Sequence, residues 1–478
     1  MSGFTTLDLI VLVAYLVGVT AWGAWLGRGQ KSGTDYFLGS RALPWFAVML
    51  SVVATETSTL TFLSVPGVSY VGSLVFLQLT FGYLAGRILV STLLLPAYYA
   101  GSLTTAYALL EKRFGLKARR FTSAIFMVTR LLADSVRLFA TAIPLALITG
   151  WPYWASIAVI GLLTVVYTYF GGIKAVVWVD ALQMGLYLFG AVVAIIAIQL
   201  VLPGGWGEVF AEASAAGKTT VLDFATDPTI PYTIFAGLFG GAVFTMASHG
   251  TDQLIVQRLL TCTDLRSAQK ALIGSGAVVV GQFLLFLLVG LGLWAFYDGR
   301  AFDSSDAIFA TFIVEQLPPG VTGLLIAGVF AAAMSSLSSS INSLASATAY
   351  DYWAPMVGAE DDGERTLRAG RAFTLVWAGL LVAGAILFIP LSEGTSAVEV
   401  ALGVASLVYG GLLGAFALGV LTKKPGEWAA IIGVAAGIGV VTLLRDAMAW
   451  PWYVLVGATV TFVVGMIAAT LLPEPKRA

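Results

Sequence analysis

The stretch Ala54-Thr55-Glu56-Thr57-Ser58-Thr59-Leu60-Thr61 decides the fold of this chain. It lies in the middle of an apolar segment, residues 44–65, and Pro66-Gly67 follows that segment directly. Hydroxyl-bearing and β-branched residues are poor helix formers, and a carboxylate inside hydrocarbon is costly. The stretch therefore predicts an unwound section of a membrane helix whose free carbonyls coordinate a cation or a solute. The alternative is a continuous helix whose hydroxyls bond to the preceding turn, which would leave Glu56 unexplained.

The composition extends this interpretation to the whole chain. Of 478 residues, 59% are hydrophobic and 11% are charged, and the mean hydropathy is +0.92. Soluble domains carry about 25% charged residues, so we predict an all-α polytopic membrane protein embedded in the lipid bilayer. The net charge of −1 excludes the basic surface that binds nucleic acid. A single cysteine, Cys262, and a single histidine, His249, exclude internal disulfides and metal sites rich in either residue.

Thirteen apolar segments are long enough to predict membrane spans. They cover residues 7–26, 44–65, 74–96, 120–148, 152–170, 175–202, 231–249, 270–297, 321–350, 371–390, 396–421, 427–444 and 450–472. With the N-terminus outside, 19 of the 25 Lys and Arg fall in the inner loops and three in the outer loops. This asymmetry favours an outside N-terminus and a cytoplasmic C-terminus. Since the first span lacks a basic leader and a cleavage site, we expect a retained helix in a bacterial inner (plasma) membrane.

A second polar stretch occupies the ninth span, Ala331 to Ser346. At 3.6 residues per turn its small and hydroxyl-bearing positions share one helix face; they are 332, 335, 336, 339, 342, 343 and 346. Because this face carries no charge, it suits a weakly bound monovalent cation better than a divalent one. Small-residue packing between helices is the alternative explanation.

Charged side chains also lie within the fourth and sixth spans. Arg130, Asp134 and Arg137 share one helix face; this pattern predicts either a buried ion network or a spare positive charge that meets Glu56 or an anionic substrate. Asp180 lies near the inner end of the sixth span, where a helix N-terminus alone would stabilise it.

The seventh span contains Gly237, Gly240 and Gly241, so it is the second helix that we expect to break. The two breakable helices stand five spans apart, as in two inverted five-helix repeats with binding at the midplane. His249, at the end of this span, is predicted to be a hydrogen-bonding residue. The sequence lacks nucleotide-binding and nucleophile motifs, so we expect a transporter driven by an ion gradient and not an enzyme.

Five stretches of the chain resemble the sodium:solute symporter family. They are Thr34 to Gly39 followed by Arg41, Ala54 to Phe62, Tyr169-Gly-Gly with Trp178, Asp180 and Gln183, Thr251-Asp-Gln with Val256-Gln-Arg258, and Met334 to Ser343. The resemblance implies a leucine-transporter-type 5+5 inverted repeat in a single transporter domain. Its parts would be a leading helix at 7–26, repeats at 44–202 and 231–421, and trailing helices at 427–472.

The resemblance also implies where ions and solute bind. A first sodium site would comprise Ala54, Thr57, Ala332, Ser335 and Ser336. A possible second sodium site would comprise Asp180, Ser338 and Ser339; a basic residue such as Lys174 is the alternative partner of Asp180. The substrate pocket would involve Glu56, Ser58, Thr61, Gln78, Thr80, Arg137 and Asp252.

The implied function is sodium-coupled import of a small polar organic solute, such as a carboxylate, an amino acid or another zwitterion. A sugar is a less favoured substrate, because the positions of Thr61 and Thr80 lack the glutamine and glutamate of sugar-transporting members. The same fold would also serve a channel or a solute sensor, and Glu56 or Asp180 would also serve proton coupling. We expect a functional monomer whose partners are sodium ions and its substrate.

Overall fold

The computed structural model describes residues 4–472 except 102, 303, 360–362 and 392–396. Within this part the structure is helical. The helices of the first half are α1 Thr6–Leu26, α2 Gly33–Leu38, α3 Trp45–Glu56, α4 Thr59–Val71, α5 Leu77–Leu93, α6 Leu95–Ala100, α7 Ala108–Arg113, α8 Leu116–Thr149, α9 Tyr153–Val201 and α10 Gly205–Ala215. Those of the second half are α11 Gly241–Gly250, α12 Gln253–Leu259, α13 Leu265–Phe296, α14 Ser305–Gln316, α15 Val321–Ala347, α16 Ala354–Val357, α17 Glu364–Phe388, α18 Ala397–Leu421, α19 Glu427–Leu444 and α20 Pro451–Leu471.

Each predicted span coincides with helical structure. Among the described residues, eight helices are long and apolar enough to cross a membrane, and nine if the bent pair α3–α4 counts as one crossing. The total of thirteen crossings stays a prediction. The stretch between the predicted spans 270–297 and 321–350 contains a further helix, α14, Ser305–Gln316.

Helix α9 contains two predicted spans. Its 49 residues would extend about 74 Å at 1.5 Å per residue, far more than a bilayer needs. Gly172 interrupts it with φ +55° and ψ −159°. A Cβ at this position would lie 2.5 Å from the carbonyl oxygen of Tyr36, so only glycine permits both this turn and the approach of α2.

The predicted unwound section of the second span is present. Helix α3 ends at Glu56, α4 begins at Thr59, and their axes differ by 60°. Thr57 has an extended backbone conformation, with φ −84° and ψ 91°. The hydroxyl of Ser58 then caps α4 by accepting a hydrogen bond from the N–H of Thr61 at 3.4 Å.

The second break is real but lies outside the glycine cluster that predicted it. Gly237 and Gly240 belong to a π-helical turn, Ala236–Gly240, that leads into α11. The helix stops further on, at Thr251, and Asp252 caps the new helix α12 by accepting from the N–H of Leu254 at 2.9 Å. Gly237 serves close packing instead, because a Cβ at this position would lie 2.9 Å from the carbonyl oxygen of Gln78 in α5.

Helix α15 is the central element of the bundle. All but a few of its 27 residues are buried, including most of its serines. It packs against α9, α1, α8 and α17 and faces the break between α3 and α4. The polar stripe predicted from the sequence therefore lies in the protein interior and not against lipid.

Candidate functional site

The break in the α3–α4 pair faces the serine stretch of α15. A hydrogen bond lies at each end of this contact. Thr55 Oγ1 lies 3.3 Å from Ser339 Oγ. Thr59 Oγ1 donates to the carbonyl of Val329 at 3.1 Å. Thr57 lies between the two threonines. On α15, the residues predicted to bind sodium lie between the two contact points. The break and these residues are therefore neighbours.

The predicted first sodium set is accordingly brought to one place. Its members are Ala54, Thr57, Ala332, Ser335 and Ser336, and all but Ser336 are buried. Ala54 lies in the last turn of α3, where backbone carbonyls have no intrahelical donor. The set offers only neutral oxygens. The hydroxyl of Thr57 already makes two hydrogen bonds: it donates to Val53 O at 2.9 Å and accepts from Gln282 Nε2 at 2.6 Å.

Asp180, predicted to bind a second sodium, is fully buried and has an arginine partner. Arg258 Nη2 lies 3.2 Å from its Oδ2 and also donates to Ser339 Oγ. The observed partner is Arg258 of α12, a helix that packs against α3 and α15, and not Lys174, which the sequence offered as the alternative to a sodium ion. The hydroxyls of Ser338 and Ser339 both donate to the carbonyl of Ser335, at 3.1 and 2.6 Å.

A large cavity opens beside the break. It encloses about 1270 Å³ between atoms, open solvent at its mouth included. Its lining residues are Thr55, Glu56, Ser58, Thr61, Ser64, Val65, Val68, Phe76, Tyr83, Arg130, Arg137, Tyr232, Phe244, Ser248, His249, Leu254, Ile255, Phe283, Ser336, Ser340, Tyr409 and Trp450. A smaller recess shares Ser58, Arg137 and Ser336 with it, so the cavity adjoins the first sodium set.

Four of the seven predicted substrate residues line this cavity: Glu56, Ser58, Thr61 and Arg137. The structure places the other three outside the lining. Gln78 bonds the carbonyls of Val75 and Tyr232 and the N–H of Asp223. Thr80 donates to Leu77 O at 2.7 Å, and Asp252 is fully buried behind the cavity wall.

Glu56 pairs with an arginine of the third span and not of the fourth. Arg87 Nη2 contacts Glu56 Oε2 and lies 3.0 Å from His249 Nε2, and His249 Nδ1 lies 2.9 Å from Ser248 Oγ. Arg87 is fully buried, whereas the side chain of Glu56 keeps 18% of its surface exposed to the cavity. The cluster ties α3, α5 and α11 together and confirms a hydrogen-bonding role for His249.

The charges of the fourth span form an ion network, one of the two predicted outcomes. Arg130 pairs with Asp252 and contacts Tyr409, and Asp134 lies 3.6 Å from Arg130 and 3.3 Å from Arg137. Asp252 supplies the second negative charge, so no spare positive charge reaches Glu56. Arg137 is the most exposed member, with 25% of its side-chain surface accessible.

A further buried carboxylate ties the bundle together on the side that the sequence predicts to be cytoplasmic. Asp351, in the π-helical turn Thr348–Trp353, accepts from Thr105 Oγ1 at 2.6 Å, Ser123 Oγ at 2.7 Å and Arg119 Nε at 2.7 Å. It thereby joins the end of α15 to the start of α8.

Sequence reasoning missed the partners Arg87 and Arg258. Both could have been suspected, because a basic residue within or next to a span needs an acidic partner. It also missed the aromatic wall of the cavity, which includes Tyr83, Phe244, Tyr409 and Trp450. Three of them come from separate helices and Trp450 directly precedes α20. Aromatic residues are too common in membrane spans to stand out.

Comparisons with known proteins agree with this geometry. The sodium:solute symporter family matches residues 36–437. The sodium/sialic acid symporter NanT of Aliivibrio fischeri is 31% identical, over 98% of this chain and 94% of that protein. The human sodium/iodide cotransporter is 30% identical, over 91% of this chain and 69% of that protein.

Solved structures share the fold. A Na⁺-coupled sialic acid symporter in a substrate-bound outward-open state superposes with a TM-score of 0.91 at 28% identity, over 99% of this chain and all of that one. The nucleobase-cation-symport transporter Mhp1, at 13% identity and a TM-score of 0.55, shares the fold alone. The architecture is thus the leucine-transporter type that the family resemblance implied, and the chain belongs to the sodium:solute symporter family.

Proposed function

We propose that this protein is a secondary active symporter that imports a small polar organic solute with sodium by alternating access. The observation that carries the proposal is the cavity beside the broken helix, which presents a carboxylate and a guanidinium to the same space. Glu56 and Arg137 are both partly exposed there. Opposite charges in one cavity suit an amino acid or another zwitterion, and Arg137 alone suits a carboxylate.

The coupling sodium would bind between the break and α15. Ala54, Thr57, Ala332, Ser335 and Ser336 supply neutral oxygens, which suits a weakly held monovalent ion. Because Ser336 lines both the cavity and the adjoining recess, an ion here would touch the wall of the solute site. That contact offers a direct route for coupling the two ligands.

We infer that the N-terminus lies outside in a plasma membrane, because the distribution of the basic residues favours that orientation, and that the cavity then belongs to an outward-facing state. With that orientation, α4 runs from the break toward the exterior, and the cavity follows it past Val65 and Val68 to Phe76. The Asp351 cluster closes the bundle at the other end. A functional monomer remains part of this proposal.

A thermal-shift screen of the purified protein, with and without sodium, tests the substrate class. The panel would contain amino acids, monocarboxylates, sialic acid and neutral sugars, and we expect stabilisation by a carboxylate or zwitterion that grows with sodium. The same solute should then show sodium-driven, saturable counterflow in liposomes. Ion flux without solute counterflow would instead support a channel, and uptake driven by a proton gradient alone would contradict sodium coupling.

A further inference from the structure

Four basic side chains meet at one end of the bundle without a carboxylate partner. Arg113 ends α7, Lys117 lies in the first turn of α8, and Lys423 and Lys424 lie in the turn between α18 and α19. Arg113 donates through Nε and Nη2 to the carbonyl of Thr422, at 3.3 and 3.2 Å, and so brings these two parts of the chain together. Among the described residues, none of the four basic side chains forms an ion pair.

A carboxylate next to this basic cluster faces the protein and not the surface. Glu427, the first residue of α19, is buried, and its Oε1 accepts from the N–H groups of Lys117 and Ala118 at 2.8 and 3.3 Å. It thereby caps α8, whose own N-cap residue is a glycine without a side chain to do so. The side chains of Lys117, Lys423 and Lys424 are exposed. This part of the surface therefore keeps a positive charge.

Trp428 places the basic cluster at the depth of the lipid headgroups. Its side chain is 50% exposed, and Lys117 Nζ lies over its ring, 5.2 Å from the ring centroid. Exposed tryptophan is typical of the membrane–water interface. On the membrane side of this residue, α18 and α19 expose Leu421 and Ile432, and a narrow apolar crevice of about 190 Å³ separates α8 from both helices. Unpaired positive charge thus adjoins a lipid-facing apolar surface.

We propose that the basic cluster binds the headgroup of an anionic phospholipid. The phosphate of such a lipid accepts charge-assisted hydrogen bonds from lysine and arginine, and its acyl chains cover the exposed apolar side chains beside Trp428. Basic pockets between membrane helices bind anionic lipids in this way. The sequence predicts that this side is cytoplasmic, where anionic lipids give the membrane its negative surface potential. A soluble anion would use the charges alone and leave the apolar surface without a role.

The lipid site joins two helices that also line the solute cavity. Helix α8 carries Arg137, and α18 carries Tyr409. A headgroup that contacts Lys117 and Lys423 together holds the start of α8 against the end of α18. The inference goes beyond the proposed function, because it does not depend on which solute or ion is transported.

Lipid binding to the purified, full-length protein in detergent tests the inference. Bound lipid and the temperature of thermal unfolding would be measured after adding phosphatidylglycerol, phosphatidylcholine or inorganic phosphate, in potassium buffer without solute. Phosphatidylglycerol should stay bound and raise the unfolding temperature, because it binds the folded protein. Phosphatidylcholine and inorganic phosphate should do neither. Since sodium and solute are left out, the result is separate from the test of transport.

Two triple variants test the role of the lysines. Each basic residue near an anionic lipid contributes about fivefold in affinity, so Lys117→Gln with Lys423→Gln and Lys424→Gln should bind phosphatidylglycerol about 100-fold more weakly. Lys117→Arg with Lys423→Arg and Lys424→Arg keeps the charges and should keep the binding. This second variant separates the loss of charge from a loss of folding.

A charge-matched control removes three other exposed basic residues that the predicted topology places on the same side. It combines Arg266→Gln, Lys270→Gln and Arg365→Gln and should bind phosphatidylglycerol as the wild type does. Equal weakening in this control, or wild-type binding in the glutamine variant of the cluster, would overturn the inference. So would phosphatidylcholine that binds as well as phosphatidylglycerol. Equal stabilisation by inorganic phosphate would assign the cluster to a soluble anion instead.

Discussion

Replacing Glu56 with glutamine tests whether the Glu56–Arg87 pair holds the broken helix in place. The substitution keeps the shape of the side chain and removes its charge, leaving the fully buried guanidinium of Arg87 without a counter-ion. Two of its nitrogens, Nε and Nη1, already lack a hydrogen-bond partner among the described residues. Arg87 therefore has little capacity to compensate.

The size of the effect follows from burial. Removing one member of a buried ion pair costs about 3–5 kcal/mol of folding free energy. Because Glu56 keeps 18% side-chain exposure to the cavity, water can partly replace it, and we expect about 3 kcal/mol, the lower end of that range. The double variant Glu56→Gln with Arg87→Gln removes both charges and should recover most of the loss.

The assay is the unfolding free energy of the purified protein in mixed micelles, measured by denaturant titration. Glu364→Gln is the matched control, since Glu364 pairs with Arg368 on the surface with both side chains at least 70% exposed. Such pairs contribute about 0–1 kcal/mol. A Glu56→Gln variant as stable as Glu364→Gln, or a double variant no more stable than the single one, would refute a structural role for the pair.

Four other substitutions give separate expectations. Ser336→Ala removes one hydroxyl ligand, so sodium dependence should weaken while unfolding stays near that of the wild type; an unaltered sodium curve would remove Ser336 from the site. Arg137→Gln should weaken substrate affinity by about 1–3 kcal/mol, the value of a charged hydrogen bond, and a KM like that of the wild type would exclude contact with the solute. Gly172→Ala forces an alanine to φ +55° and a Cβ to 2.5 Å from Tyr36 O, so it should destabilise the protein by at least about 1–2 kcal/mol; normal thermal unfolding would contradict this. Asp35→Asn concerns α2, where the hydroxyl of Ser40 and the N–H of Lys31 hold the pKa of Asp35 below its usual value of 3.8. The stabilisation by this carboxylate is present above pH 3.8 and is lost as the pH falls through the lowered pKa, so the variant should lose that part of the acid sensitivity, which a pH series of thermal unfolding would measure.

The positions of the helices and of the first break could be predicted because they depend on local chemistry. Apolar length sets each span, and the β-branched, hydroxyl-rich run around Thr57 is a poor helix former. The glycines predict the second break too early in the chain. It occurs at Thr251 and Asp252, where α11 has ended and the carboxylate of Asp252 caps α12.

The pairing of charges could not be predicted, because it depends on tertiary structure. Glu56 lies 31 residues from Arg87, and Asp180 lies 78 residues from Arg258. The sequence contains several arginines that could neutralise Glu56 or Asp180. The packing of α5 and α12 against the broken helices determines which of them form the ion pairs. The positions of the Gln78 and Thr80 side chains could not be predicted either, because they too depend on tertiary structure. Both side chains bond to nearby backbone groups and do not reach the cavity.

The pairing of the buried charges also determines the electrical behaviour of transport. Around the cavity, Glu56, Asp134, Asp180 and Asp252 are matched by Arg87, Arg137, Arg258 and Arg130. These four pairs add no net charge to the part of the protein that carries the ligands, so the charge moved per cycle is that of the cargo as long as the pairs stay intact. One sodium with a zwitterion would carry one positive charge, and the membrane potential would add about 2.3 kcal/mol of driving force per 100 mV. One sodium with a monocarboxylate would carry none, and its accumulation would be indifferent to voltage.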